Sequence, residues 1–461
     1  MQVTSITLKN FRCFKELKVE FDDRLTVLVA PNGQGKSSVL DALRIVLWPY
    51  VSAFDVVAGT MTSTGIEIDD VRLVRSERTR AMEVSLPTQV EANFICQGAT
   101  IHAARQRDKV SNRSKTSTKD AKKLAHYGKA LQQQIRINTE HDTEANDEVI
   151  LPCIGFYGTG RLWKQRYLTL KNQDSSGIFS RTYAYVGCLD SGSDYNYFAE
   201  WFFHLYASDF EQKTKAMERQ GFAGLVDETP SYAELMQCIR DAVNLVMKDQ
   251  GWQNLSYSPS QKTLIMTNDD RGELKVDQLS DGLKSVVAMV ADIAYRCVRL
   301  NVHLGIEAAR QTPGIVIIDE VDMHLHPEWQ QTVIGSLREA FPNIQFIVTT
   351  HSPQVLSTVR RENIRIIPNA QIPTLKAESP LGKSYGQPSG EVLRAVMLVD
   401  PMPPVEEKPR LQRLTELVDQ GLFDSDDARE LMADLKTLLG DENPQLQRLQ
   451  RSIARQRALQ G

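Results

Sequence analysis

The run Ala30-Pro31-Asn32-Gly33-Gln34-Gly35-Lys36-Ser37-Ser38 holds the residue types needed to grip a polyphosphate. Gly33 and Gly35 let backbone N–H groups turn toward phosphate oxygens, and Asn32 and Ser38 belong to the same cradle. Lys36 would reach the β and γ phosphates, and the Ser37 hydroxyl would ligate Mg2+. A helix starting here adds positive potential at its N-terminus. Position 30 is alanine where such loops usually have glycine, and alanine is small enough to keep the geometry. The competing reading is an ordinary glycine-rich turn before a core helix. A second candidate is Gly314-Ile315-Val316-Ile317-Ile318-Asp319-Glu320, where four apolar residues end in two adjacent carboxylates. Asp319 suits a metal's hydration shell, and Glu320 suits orienting or deprotonating an attacking water. Alone, such a strand end is common; it gains weight beside a phosphate loop. Ser280, Asp281 and Gly282 open an apolar helix, another anion-binding arrangement, although Ser-Asp-Gly also makes a plain turn and cap. The stretch Phe346 to Pro353 carries His351 past a strand end, a place where a lone histidine is usually structural.

The elements that must position these residues can be read from periodicity. Residues 3 to 29 read as two or three strands, with Val3, Ile6 and Leu8 alternating and Leu25 to Val29 apolar throughout. A helix runs from Lys36 to about Trp48, and further strands lie within residues 71 to 97. Strands near Leu264 to Met266, Ile315 to Ile318 and Phe346 to Val348 alternate with helices, the pattern of an α/β core. Residues 101 to 140 hold ten Lys/Arg against three Asp/Glu, with a Ser/Thr-rich loop at 111 to 118 and a basic helix from Lys119 to Arg136. Residues 195 to 250 read as mostly helical. After Pro403-Pro404 three short amphipathic helices follow, with Ser425 as an N-cap, Gly440 as a stop and Pro444 in a first turn. The resulting division is an ATPase lobe at 1–100, a basic insertion at 101–148, and a return strand with helical insertion at 149–250. A second ATPase lobe follows at 251–400, and a helical tail at 405–461.

The 461 residues fit two or three domains at about 150 residues each. With 54 basic and 58 acidic side chains the formal charge is -4, which excludes a uniformly basic nucleic-acid coat but leaves room for a local patch. The six cysteines show no CxxC spacing, so neither a disulfide framework nor a zinc cluster is expected, and a reducing cytosol is the default. The first residues lack the basic start and apolar block of a signal peptide, and no run of 18 apolar residues exists to span a membrane. A cytoplasmic protein is expected.

The phosphate loop, the Leu279 to Ser285 segment, the acidic strand end and His351, in that order, resemble the head of the ABC ATPase superfamily. The branch most similar is that of the SMC, RecF and OLD-type ATPases, whose Asn-Phe-Arg element matches Asn10-Phe11-Arg12. The resemblance implies an α/β fold, a mixed sheet around a phosphate-loop core with helical insertions, and Arg12 approaching the nucleotide phosphates. It makes Leu279 to Ser285 the signature motif and His351 the histidine that senses the γ-phosphate. It further implies ATP sandwiched between two heads, Lys36 and Glu320 of one facing Ser280 and Gly282 of the other. Val321 to Pro327 looks like the loop after the acidic strand, a His324/His326 metal pair being the competing reading. For the glutamine loop, Gln97 and the segment Tyr157-Gly158-Thr159-Gly160-Arg161 are candidates.

No long coiled coil separates the phosphate loop from the signature, which argues against chromosome tethering. Residues 352 to 461 hold no Glu-Gly, the strand-end element of a Toprim nuclease, so the chain is expected not to cut nucleic acid itself. The remaining pattern, including Gly390-Glu391-Val392-Leu393, resembles the PtuA family, ATPase subunits of Septu anti-phage defence and of related retrons. That implies an HNH nuclease partner of the PtuB type, with DNA as a contact for the basic segment 101–140 and the tail as a docking element. A RecF-like repair ATPase is the runner-up, and a transporter ATPase the third reading.

Overall fold

Four apolar stretches build the centre of the molecule. They are β3 (Leu25–Val29), β8 (Cys153–Tyr157), β12 (Gly314–Ile318) and β13 (Ile344–Thr349), and every residue in them is buried. With β14 (Ile364–Ile366) they form a five-stranded sheet in the order β14-β3-β13-β12-β8, parallel at every pairing. Strands covered on both faces need no polar alternation, which explains their near-continuous Val, Ile and Leu. The register places Ile318 beside Val348 and Tyr157, and Val348 beside Val27. The loops after β3, β8, β12 and β13 therefore leave from one edge, the carboxyl end, where ligands of open α/β sheets bind.

This structure, a computed structural model, describes the chain except residues 62, 76–80, 112–114, 142–148, 162–179, 191–194, 219–230, 370–374 and 461. Parts of the Ser/Thr-rich loop and of the 195–250 helical block lie outside the described residues.

A second five-stranded sheet contains β1 (Gln2–Phe11), β2 (Phe14–Glu20), β6 (Thr88–Cys96), β7 (Ala99–Arg107) and β15 (Leu375–Lys376), in the order β15-β2-β1-β6-β7. It is antiparallel except for β15 beside β2, so the mixed character lies here and not in the phosphate-loop sheet. Strands β4 (Leu73–Arg75) and β5 (Met82–Val84) form a separate hairpin. Two sequence expectations change. Residues 101–107, grouped with the basic insertion, are strand: Arg105 donates to the carbonyls of Ile45 and Thr64, and Arg107 to that of Ile66 at 2.7 Å. Their charge serves buried carbonyls, which composition does not reveal. Leu264 to Met266 belongs to an antiparallel meander of β9 (Trp252–Ser258), β10 (Thr263–Asn268) and β11 (Gly272–Lys275), not to the parallel sheet.

Helix α1 (Lys36–Val51) follows the phosphate loop, and the short α2 (Asp55–Thr60) comes next. The basic stretch forms α3 (Lys122–His141), and Gly128 lets it approach the Tyr50 carbonyl at the far end of α1. Helices α4 (Tyr195–Glu218), α5 (Tyr232–Met247) and α6 (Asp281–Leu300) also belong to the larger unit, Met1–Met397. Leu398–Gly461 is a separate compact unit of three helices, Lys408–Asp419, Asp426–Leu439 and Pro444–Gln460. Ser425 caps the second by accepting from Ala428 N–H, and Gly440 ends it. Its own core holds Leu411, Leu414, Val418, Leu435 and Leu446. Among the described residues no helix is long and apolar enough to cross a membrane.

Candidate active site

The phosphate loop turns on two glycines with left-handed backbone, Gly33 at φ 76° and Gly35 at φ 91°. Gly35 also lacks room for a side chain: a Cβ there would lie 2.5 Å from the Phe14 ring and 2.8 Å from Cys13 Sγ. The β1–β2 turn thus forms one wall of the loop. Asn32 and Gly33 face solvent, while Ser38 is buried in the first turn of α1. Lys36 is 7% exposed, and its Nζ donates to the Ala30 carbonyl at 2.8 Å and the Pro31 carbonyl at 3.4 Å. The lysine therefore folds back over its own loop. Burial lowers its pKa from the ordinary 10.5, and Asp319, Glu320 and Asp322 pull it back upward.

Across the loop, Ser37 Oγ donates to Asp319 Oδ2 at 2.8 Å. A hydroxyl and a carboxylate oxygen facing each other are the hard ligands a magnesium ion selects, so this donor set fits the metal. Thr349 Oγ1 donates to the other carboxylate oxygen, Asp319 Oδ1, at 2.5 Å and accepts from Glu320 N–H at 2.7 Å. Asp319 N–H is fixed in turn by the Tyr157 carbonyl at 2.8 Å. Glu320 sits at φ 49°, a conformation a non-glycine residue adopts only when its surroundings hold it there. His351 follows two residues after Thr349 and is half-buried; Thr350 bonds Asp322, and Ser352 bonds Gln330 at 2.7 Å. These contacts tie the histidine loop to the loop after the carboxylates.

Ser280 is the N-cap residue of α6, and Gly282 abuts the loop after Glu320, where a Cβ would lie 2.2 Å from the His324 carbonyl oxygen. The structure thus gathers Lys36, Ser37, Asp319 and Glu320, and Gly282 meets the loop after Glu320 at His324. Arg12, expected to approach the nucleotide phosphates, is clamped by Asp41 at 2.8 Å and Asp70 at 2.9 Å. Burial alone would lower its pKa, but the two carboxylates outweigh that and raise it. Gln97 lies in the β6–β7 turn beside the Gln2 end of β1, roughly 30 Å along that strand from Arg12. It is therefore not a glutamine-loop residue of this site. His326 caps a short helix by accepting from Glu328 N–H, and among the described residues no group of three or more His, Cys, Asp or Glu is placed to hold a metal.

Sequence reasoning assigned no role to Thr349, or to a buried network behind the site. Tyr157 Oη donates to Asp292 Oδ2 at 2.7 Å, and Arg296 Nε donates to the same oxygen at 2.9 Å. Asp292 and Arg296, four apart on the buried face of α6, were the visible signal: charges on a core face need partners.

An AAA domain is matched over residues 5–242, more than half of the chain, and a second AAA-domain match covers residues 189–357. The chain belongs to the AAA-domain ATPase family. It is 28% identical to the Retron Ec83 probable ATPase of Escherichia coli, over 98% of this chain and 86% of that one. It is 26% identical to the Retron Vc95 probable ATPase of Vibrio cholerae, over 94% of this chain and 86% of that one. A shorter stretch is 44% identical to the Septu protein PtuA of Bacillus mycoides, over 17% of this chain and 10% of that one. As its motif order led one to expect, the chain is an ATPase, and retron ATPases and a Septu protein are among the proteins it is similar to.

Proposed function

We propose that this chain is the ATP-binding and ATP-hydrolysing subunit of a bacterial anti-phage defence complex. Two copies close head to head around ATP, and the assembly controls an associated HNH nuclease of the PtuB type. The observation that carries this reading is the likeness to retron ATPases along nearly the whole chain. The geometry supplies the chemistry. Lys36 and the backbone of Asn32 to Ser38 hold the phosphates, and Lys36 exchanges its two loop carbonyls for phosphate oxygens. Ser37 and Asp319 hold Mg2+, which supplies charge neutralisation on the phosphates. Glu320 orients and deprotonates the attacking water, and His351 contacts the γ-phosphate end. Ser280 and Gly282 complete the partner's site, as helix N-termini suit anions. Arg12, held against α1 by Asp41, approaches the phosphates. The protein works in the cytoplasm, in keeping with six free cysteines.

DNA is the other partner. Lys115, Lys119, Lys122, Lys123 and Lys129 are exposed along the basic stretch and α3, while Arg136 pairs with Asp55. Exposed lysines engage phosphates in a salt-dependent, sequence-blind way.

The deciding experiment is co-expression with the neighbouring gene, followed by purification and mass determination with and without ATP, alongside Lys36→Ala. Co-purification with a small HNH protein, in an assembly whose mass changes with ATP and not in Lys36→Ala, supports the reading. A lone ATP-dependent dimer that binds DNA ends or gaps would replace it with a RecF-like repair role.

A further inference from the structure

We propose that Thr349 is a positioning residue for hydrolysis, its one buried hydroxyl setting the geometry of both carboxylates. The proposal rests on the assignment of Asp319 to the metal and Glu320 to the water made above. Thr349 ends β13, is fully buried, and lies one strand over from the carboxylates. Its hydroxyl has a single proton. Because Oγ1 accepts the Glu320 N–H, that proton is directed to Asp319 Oδ1. Asp319 is then oriented from both sides, by Thr349 at Oδ1 and Ser37 at Oδ2, leaving its plane little freedom.

The same hydroxyl holds Glu320 in its left-handed conformation. Three bonds fix that turn: Glu320 N–H to Thr349 Oγ1 at 2.7 Å, Val321 N–H to the Thr349 carbonyl at 3.0 Å, and Met323 N–H to the Glu320 carbonyl at 2.9 Å. Two of the three end on Thr349. An unfavourable backbone angle at the residue assigned to water activation is the kind of strain that persists when its surroundings over-determine it. Without the left-handed turn, β12 would continue extended and send the Glu320 side chain elsewhere. Thr349 acts through the residues assigned to the metal and the water rather than on the reacting atoms.

The test compares Thr349→Val, Thr349→Ser and Glu320→Gln in the full-length chain with its partner. ATP hydrolysis and binding of a fluorescent ATP analogue are read in parallel, with thermal melting as the folding control. Valine keeps the shape and removes the hydroxyl. Expected is a fall in kcat of about 10- to 100-fold with KM and nucleotide binding unchanged, the range typical when a supporting hydrogen bond of a metal site is lost. Serine restores the hydroxyl and most of the rate. Should the valine variant not fold, Thr349→Ala removes the same group and takes its place. A wild-type kcat in the valine variant, or a serine variant as slow as valine, overturns the positioning role while a slow Glu320→Gln leaves the site assignment standing. Glu320→Gln hydrolysing at the wild-type rate overturns the assignment beneath it.

Discussion

Buried thiols illustrate what single residues contribute apart from the motifs. Burial pushes Cys96 and Cys238 up to about 11 and Cys188 to about 12, from an ordinary 9.0. In the unfolded chain the same groups ionise near 9, so between 9 and about 11 to 12 the unfolded state binds fewer protons than the folded one. Stability from these groups is fully present below pH 9 and is lost as pH rises through that window. Chemical denaturation at pH 8 and at pH 10.5 should show a lower midpoint at the higher pH. Replacing Cys96, Cys188 and Cys238 with alanine should flatten that difference, and an unchanged slope would show that other groups govern it. At this scale the sequence was only partly legible. Lys36, Ser37, Asp319 and Glu320 were found because their identities are chemically unusual in sequence and they meet in space. The placement of Arg12 was not legible, since Asp41 and Asp70 lie 29 and 58 residues away and nothing local marks them as its partners.

The parallel sheet explains why motifs spread over more than 300 residues converge. The phosphate loop, the carboxylate pair and His351 each follow an apolar strand, and parallel pairing brings those strand ends to one edge. Those strands were legible because full burial leaves a short uniform apolar run bounded by a turn. The meander β9–β11 was not, because a half-apolar strand reads alike in either sheet. Gly35 tests how tightly the elements are fitted. Gly35→Ala combines a positive φ with a Cβ 2.5 Å from the Phe14 ring. Nucleotide binding should be lost and stability should fall by about 1–3 kcal/mol. Gly98→Ala is the control, with φ 81° but open space around it; it should cost only about 1–2 kcal/mol and leave nucleotide binding intact. Equal binding losses from both would point to general destabilisation rather than to the wall formed by Phe14 and Cys13.

Two compact units, each with its own apolar cluster, make up the whole. A chain ending at Met397 should therefore bind ATP with unchanged affinity and melt cooperatively. Calorimetry and a binding titration check this, and a truncated chain unable to bind nucleotide would show that the tail is part of the ATPase core. If the shortened chain still co-purifies with the nuclease partner proposed above, docking does not run through the tail.

Helix α1 spans 16 residues, about 24 Å, with the phosphate loop at one end and Tyr50, against which α3 packs, at the other. An anionic polymer lying on the exposed lysines of α3 and an anionic small molecule in the loop thus occupy opposite ends of one rigid rod. They cannot compete for the same atoms. Any influence of DNA on turnover should appear as a change in kcat at constant KM for ATP, a noncompetitive pattern. Charge reversal at Lys115, Lys119, Lys122 and Lys123 should abolish that influence and leave the DNA-free rate untouched. A DNA effect on KM would mean instead that the polymer reaches the mouth of the loop, and that one end of the rod is not its landing place.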